Sequence, residues 1–193
     1  MHIRYTICSV LLLLGHGAPA RSAGELETIK QRYDQASQLE KEPGAQHLVS
    51  FHTMLPAVGL QETQVRFVFI SEQAHPERDP YELKHELVKV GVQYNVAASA
   101  QFRIEYLYDS RGELVFFFEE EESAEGSRAS RIYYRAGKPF RRIQDSRSGD
   151  GKPSREVTEK LTPGQRRKAK EALARARQYR EHFRQLLALE QLK

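Results

Sequence analysis

Apolar residues recur with a helical period at both ends of the chain and with a period of two between them. Near the N-terminus the spacing is three or four residues, which predicts a helix from Glu25 to Glu40 that Pro43-Gly44 stops. Near the C-terminus the same spacing predicts a longer amphipathic helix, with Thr162 as its N-cap and Pro163 in its first turn. The C-terminal stripe comprises Ala169, Ala172, Ala176, Tyr179, Phe183 and Leu186, widened by Leu173 and Leu187.

The middle of the chain alternates apolar and polar residues, and this alternation predicts about seven strands. The expected strands are Val49–Leu55, Val65–Ile70, Val88–Val96, Phe102–Tyr108, Leu114–Phe118, Arg131–Arg135 and Phe140–Gln144. Most connections are short, which favours an antiparallel meander over a parallel sheet with crossovers. Asp109–Gly112 has the residues of a type I turn. One connection between strands is long, because Ser71–Tyr81 is polar and is expected to form a loop.

The strand Leu114–Phe118 is apolar at every position, so we expect both its faces to be covered. The two terminal helices are the available covers. The predicted fold class is therefore α+β, a curved antiparallel meander of about seven strands flanked by an N-terminal and a long C-terminal helix. The alternative is a closed, lipocalin-like barrel with a C-terminal helix, although the chain has no Trp for the Gly-x-Trp signature of that family.

Residues 1–20 have the pattern of a cleaved signal peptide, with Arg4, a leucine-rich run and Ala18-Pro19-Ala20 before the cut. Residues 21–193 are then expected to form a single α+β domain. Within it, residues 45–145 would carry the sheet, residues 146–160 a polar linker and residues 162–192 the C-terminal helix. Cys8 is the only cysteine, so the processed chain would contain no disulfide and no thiolate ligand. The bacterial periplasm is the expected destination, with secretion beyond the cell as the alternative.

The charge is nearly balanced, with 30 Lys and Arg against 26 Asp and Glu. So weak a net charge argues against a nucleic-acid partner. Its distribution is uneven, however. Glu119–Glu122 is an acidic run that we expect to fray from the end of a strand, and Arg166-Arg167-Lys168 opens a basic C-terminal stretch.

No motif of known chemistry is complete. Gly149–Ser154 contains a Gly-Lys pair but has Pro153 where a phosphate loop needs Ser or Thr, and Arg147 spoils a calcium-loop reading of the same segment. The histidines lack zinc spacing, and neither Gly-x-Ser-x-Gly nor Ser-x-x-Lys occurs after residue 20. We therefore expect neither a metal nor a cofactor, and a non-catalytic protein.

The expected function is that of an exported binding or protein-interaction module. Two alternatives stay open, a carrier of an apolar ligand in the concave face of the sheet and a hydrolase with dispersed catalytic residues. Fourteen of the 18 aromatic residues lie between Phe51 and Phe140, on strands that can line such a face. The partner would be a protein or an apolar small molecule, with weak contact to an anionic membrane surface as a further possibility.

The candidate binding residues fall into three groups. The long loop supplies contacts that border the site, the strand of residues 102–108 supplies aromatic lining, and the C-terminal helix supplies cations for an anionic surface. In that order they are His75 and Arg78, then Tyr106 and Tyr108, then Arg175, Arg177 and Arg184.

The segment Leu161–Gln165 resembles the Leu-Thr-x-x-Gln segments of periplasmic stress chaperones of the Spy type. The resemblance spans five residues, and that family is helical where this chain is rich in strands. It therefore carries no function over to this chain.

Overall fold

The computed structural model describes residues 18–56, 59–75, 77, 79–96, 100–149 and 151–190. Two helices and eight strands make up this part of the chain. The helices are α1 (Ala18–Leu39) and α2 (Pro163–Glu190). The strands are β1 (Gln46–Leu55), β2 (Gly59–His75), β3 (Asp79–Val96), β4 (Ala100–Tyr108), β5 (Leu114–Ser123), β6 (Gly126–Arg135), β7 (Lys138–Ser148) and β8 (Pro153–Thr158). Among the described helices, none is long and apolar enough to cross a membrane.

The strands form one antiparallel sheet in which every strand pairs with its neighbours in sequence, from β1 to β8. The α+β meander predicted from the sequence is confirmed. The sheet is open, with β1 and β8 as its outer strands, so the lipocalin-like barrel is wrong. Short hairpins such as Asp109–Gly112 explain the order, because a turn of a few residues can only return the chain to the adjacent position.

Two local expectations are wrong. Within the segment expected to be a polar linker, β7 continues to Ser148 and residues 153–158 form β8, whose main chain pairs with β7. The expected loop at Ser71–Tyr81 belongs mostly to the β2–β3 hairpin, where Ser71 pairs with His85. Both segments are polar yet extended, because main-chain pairing forms a strand without requiring a buried face. Periodicity detects only strands that bury one face.

Helix α2 covers one face of the sheet. Its stripe of Ala169, Ala172, Ala176 and Phe183 is buried against aromatic and branched residues of β2 to β6. The small alanines bring the helix close enough for Tyr108 and Tyr134 to donate hydrogen bonds to its main-chain carbonyls. The stripe therefore serves the core of its own chain, as its amphipathic spacing suggests.

The start of α2 is held by a capping box. The Thr162 N–H donates to the Gln165 side chain at 2.8 Å, and the Gln165 N–H donates back to the Thr162 hydroxyl at 3.4 Å. Leu161, just before the cap, is buried in the core. Local helix-capping chemistry thus accounts for the Leu-Thr-x-x-Gln segment.

Helix α1 covers the opposite face. Ile29 and Ala36 are buried against a smaller apolar cluster that includes Val88, Leu107 and Phe116. Leu114 and Phe117 face α2 while Phe116 and Phe118 face α1. The two-sided burial predicted for Leu114–Phe118 is therefore confirmed.

Candidate functional site

The face beneath α1 contains buried charges. Lys89 is only 2% exposed and Glu105 only 7%. The Lys89 Nζ lies 2.7 Å from Glu40 Oε1 and 5.1 Å from the centre of the Tyr33 ring. The Tyr33 hydroxyl donates to Glu105 Oε2 at 2.7 Å. Because each buried charge has a partner from α1 or the residue after it, these bonds hold the C-terminal part of α1 on the sheet.

A groove of about 630 Å³ lies between the preceding part of α1 and strands β4 to β7. This volume is within the range of about 300–1,000 Å³ that is usual for small-molecule sites. Its lining residues are Leu26, Glu27, Ile29, Lys30, Tyr33, Arg103, Phe116, Phe118, Arg131, Tyr133, Arg141 and Ile143. The groove therefore combines apolar and aromatic side chains with four cations and one carboxylate.

Strand register places arginines beside apolar rings on the floor of the groove. Across β5, β6 and β7, one row of neighbours is Phe118, Arg131 and Ile143. The next row is Phe116, Tyr133 and Arg141. Positions two apart on a strand share a face, so these two rows form a single surface.

Two of the four cations already have carboxylate partners. Arg103 pairs with Glu120 at 2.9 Å, and Arg131 pairs with Asp145. Their guanidinium carbons also lie 4.8 Å and 5.3 Å from the centre of the Phe118 ring, within cation–π range. The guanidiniums of both arginines therefore already have partners within the protein.

Arg141 differs from them. Its Nε is buried and has no hydrogen-bond partner among the described residues, and no ion pair to Arg141 occurs in the same part of the chain. A buried donor without an acceptor costs about 1–3 kcal/mol. Because Arg141 also lines the groove, an anion there would meet a guanidinium that has no ion pair among the described residues, and Lys30 on α1 would add a second positive charge.

The two groove tyrosines stay protonated at neutral pH. Burial, followed by the charge of Glu105, raises the pKa of Tyr33 well above its ordinary value of 10.0. Burial also raises the pKa of Tyr133, although Arg131 and Arg141 oppose the shift. Both phenols therefore add polar but uncharged hydroxyls to the groove, and neither can act as an anionic base there.

The predicted aromatic lining lies elsewhere. Tyr106 and Tyr108 are each 1% exposed and lie under α2, where the Tyr108 hydroxyl donates to the Ala176 carbonyl at 2.9 Å. Their position on the α2 face follows from strand parity, which separates them from Glu105 and Leu107. They form part of the core and do not line the groove.

The predicted cations of α2 are exposed. Arg175, Arg177 and Arg184 lie on the helix surface, and Arg184 approaches Glu181 at 3.4 Å. They share no surface with the groove, which is on the other face of the sheet. Arg78 and the side chain of His75 lie outside the described residues, and the His75 main chain belongs to β2.

Sequence reasoning missed the groove residues Lys30, Arg103, Arg131 and Arg141. A usable signal was present, because Arg131 alternates with Tyr133 and Arg141 with Ile143. A strand whose core-facing positions mix arginine with apolar residues indicates a face that is only partly dry. The sequence does not show the β6–β7 register that places these two pairs side by side.

One serine–histidine contact bears on the hydrolase alternative. Ser71 Oγ lies 2.8 Å from His85 Nδ1, and the two residues are register partners on β2 and β3. Cross-strand pairing alone explains this bond. Neither residue lines the groove, so the contact and the groove do not form one site.

Comparison with known protein families, curated proteins and solved structures finds no match for this chain.

Proposed function

We propose that this chain is a non-catalytic binding protein, acting after export, that holds an amphipathic anion in the groove beneath α1. The ligand class is a single-chain carboxylate with an apolar tail. This proposal sharpens the apolar-ligand carrier considered from the sequence by giving the ligand a charged head and placing it on the α1 face. The observation that carries it is the Arg141 guanidinium, which has no ion pair among the described residues and lies at the edge of an aromatic floor.

The two parts of the groove fit the two parts of such a ligand. Phe116, Phe118 and Ile143 offer apolar surface to a hydrocarbon tail. Arg141 and Lys30 offer charge to the head group, and a guanidinium can bind a carboxylate with two hydrogen bonds. Arg103 and Arg131 already pair with Glu120 and Asp145, so Arg141 and Lys30 are the cations that the head group would meet.

Binding fits this lining better than catalysis. The described lining residues include no serine, cysteine or histidine, and Glu27 is the one carboxylate among them. A hydrolytic site needs a nucleophile or activated water with a base in hydrogen-bond reach. The lining of the groove therefore supports binding of a ligand without chemical change.

Three probes of equal chain length test the proposal by calorimetry: dodecanoate, dodecanol and a dodecyl trimethylammonium salt. We expect dodecanoate to bind best and the cationic probe least. Arg141→Met should weaken dodecanoate binding about tenfold, equivalent to about 1.4 kcal/mol. The matched control is Arg142→Met, since Arg142 is the next residue of β7, lies on the opposite face of the sheet beside Ile132 and bonds to Gln144.

The remaining outcomes are also decisive. Equal binding of dodecanol and dodecanoate, unchanged by Arg141→Met, would indicate a carrier of neutral apolar ligands. Failure of all three probes would remove the groove as a small-molecule site and favour the protein-interaction alternative. Turnover of dodecanoyl esters that Ser71→Ala abolishes would support the hydrolase.

Export has its own test. Mass spectrometry of the protein from its native host should find a mature N-terminus at Arg21, after Ala18-Pro19-Ala20. An intact Met1 in the exported fraction would contradict signal cleavage.

A further inference from the structure

Strand β1 is an outer strand that lacks the usual protection of a sheet edge. Its ten residues, Gln46–Leu55, include no Lys, Arg, Asp, Glu or Pro. Three of its apolar side chains are largely exposed, Leu48 at 56%, Phe51 at 52% and Met54 at 72%. Exposed, uncharged edges of this length promote pairing with another strand, so natural proteins normally block them.

The other edge of the same sheet is blocked. Strand β8 has six residues, begins with Pro153 and carries Arg155 and Glu156. Proline removes a main-chain donor, and charged side chains oppose the approach of a second strand. One edge of the sheet is therefore protected against pairing with another strand and the other is not. The lack of protection is specific to β1.

The β1–β2 register identifies which main-chain groups of β1 point away from β2, toward a further strand. Phe69 N–H donates to the Ala45 carbonyl at 3.0 Å, and continuing the β1–β2 register one residue beyond Gln46 and Val68 places these two residues opposite each other. They therefore form a hydrogen-bonded pair, and the odd-numbered positions of β1 direct their main-chain groups at β2. The even-numbered positions direct theirs away from the sheet, namely Leu48, Ser50, His52 and Met54.

We propose that β1 pairs antiparallel with β1 of a second copy of this chain, with Phe51 on the two-fold axis. In this register Leu48 lies opposite Met54 of the second copy, and Ser50 lies opposite its His52. Both are pairs of even-numbered positions, so both use the outward main-chain groups. Phe51 lies opposite itself, in a pair without main-chain bonds where side chains approach most closely.

This register suits a second copy because it is self-complementary. It places the exposed side chains of Leu48, Phe51 and Met54 each against an apolar partner. Leu48 and Met54 share one face of the sheet and Phe51 occupies the other, so both faces of the junction gain apolar contacts. The strand has no charge, so two copies approach without like-charge repulsion between their edges.

The interface is separate from the proposed binding groove. The groove lies on β4 to β7, and each strand adds about 4.8 Å of separation from the β1 edge. A symmetric dimer would therefore extend the sheet to sixteen strands and leave two grooves open. The dimer does not depend on the ligand, and failure of either proposal leaves the other intact.

Sedimentation velocity from about 1 to 100 μM, which spans ordinary dimer constants, tests the association. We expect a concentration-dependent dimer for the wild type and for the control Val157→Lys on β8. Phe51→Lys should be monomeric at every concentration, with unchanged circular dichroism because Phe51 is exposed. A wild-type monomer throughout, or a dimer that Phe51→Lys leaves intact, would overturn the proposal.

Crosslinking tests the register. With Cys8 removed or replaced by Ser, Phe51→Cys should form a disulfide-linked dimer on mild oxidation, because the two-fold axis brings the β-carbons of position 51 in the two copies within about 5.5 Å of each other. The matched control is Thr53→Cys, which lies opposite Val49 of the second copy and should crosslink poorly. Efficient crosslinking of Thr53→Cys but not of Phe51→Cys would contradict this register.

Discussion

The two faces of the sheet are filled in different ways. Among the described residues, the cluster on the α2 side buries eighteen apolar residues and tyrosines, and Ser130 is a buried polar residue on the same face. The α1 side buries a cluster of seven apolar residues and, beside it, Val68, Ile143 and the charged Lys89 and Glu105, and it leaves a groove next to them. A dry, close-packed face contributes most of the stability, since buried apolar area drives folding. The mixed face stabilises less and retains chemistry that a ligand can use.

Two neighbouring phenylalanines give the sharpest test of this difference. Phe117 packs under α2 with its ring centre 5.4 Å from that of Tyr106, whereas Phe116 borders the groove. We expect Phe117→Ala to lower the free energy of unfolding by about 3–5 kcal/mol, and Phe116→Ala by about 1–3 kcal/mol, because the space that Phe116 vacates opens onto the groove instead of forming a closed cavity. Urea denaturation measures both. Equal losses would show that the two faces contribute alike.

Alkaline pH should act mainly on the α2 face. Burial raises the pKa of Tyr106, Tyr108 and Tyr134 well above the ordinary 10.0. A raised native pKa stabilises the fold fully below pH 10, and this stabilisation falls as the pH rises toward the native value, because only the unfolded chain ionises. At pH 11 the loss is about 1 kcal/mol for each of these tyrosines.

Absorbance at the tyrosinate band during an alkaline titration checks this. The three buried phenols should ionise together with unfolding, and Tyr134→Phe should make the alkaline loss of stability less steep. Ionisation of all the tyrosines near pH 10 in the folded protein would contradict the dry α2 face.

The buried Lys89 tests the other face. Glu40→Gln removes its partner, and we expect a loss of about 1–3 kcal/mol, less than for a fully buried pair because the Glu40 side chain is 24% exposed. Glu42→Gln, on an exposed neighbour of the same sign, is the control. Adding Lys89→Met to Glu40→Gln should restore most of the stability. If thermal unfolding of the Glu40 variant matches that of the wild type, the pair does not fasten α1.

The smallest loss is expected at the groove. Arg141→Met should not lower the free energy of unfolding, because its Nε has no acceptor to lose, and removing a buried unpaired donor should raise that free energy by up to about 1–3 kcal/mol. Arg131→Met should cost more, since it breaks the pair with Asp145. Chemical denaturation of the two variants compares them directly. A large loss for Arg141→Met would mean that this arginine is structural.

Much of this architecture was readable from local pattern. Alternation at Phe102–Tyr108 and the short turn at Asp109–Gly112 predicted adjacent antiparallel strands, and both faces of Leu114–Phe118 were expected to be covered. The acidic run Glu119–Glu122 was misjudged. It lies within β5, where Glu120 pairs with Arg103 and Glu119 with Lys168. Cations brought from other elements make a charged strand acceptable inside the sheet, and a local pattern cannot supply them.

The meander, the two covering helices and the capped start of α2 could all be derived from the order of residues, because turns, caps and periodicity depend on positions a few residues apart. The three-dimensional fold was needed to show that Arg141 borders Phe116 and Tyr133, that Lys89 reaches Glu40, and that β1 rather than β8 is the unprotected edge. Each of these depends on strand register or on the placement of a helix across the sheet. Both are set by the packing of the whole core, which no single segment contains.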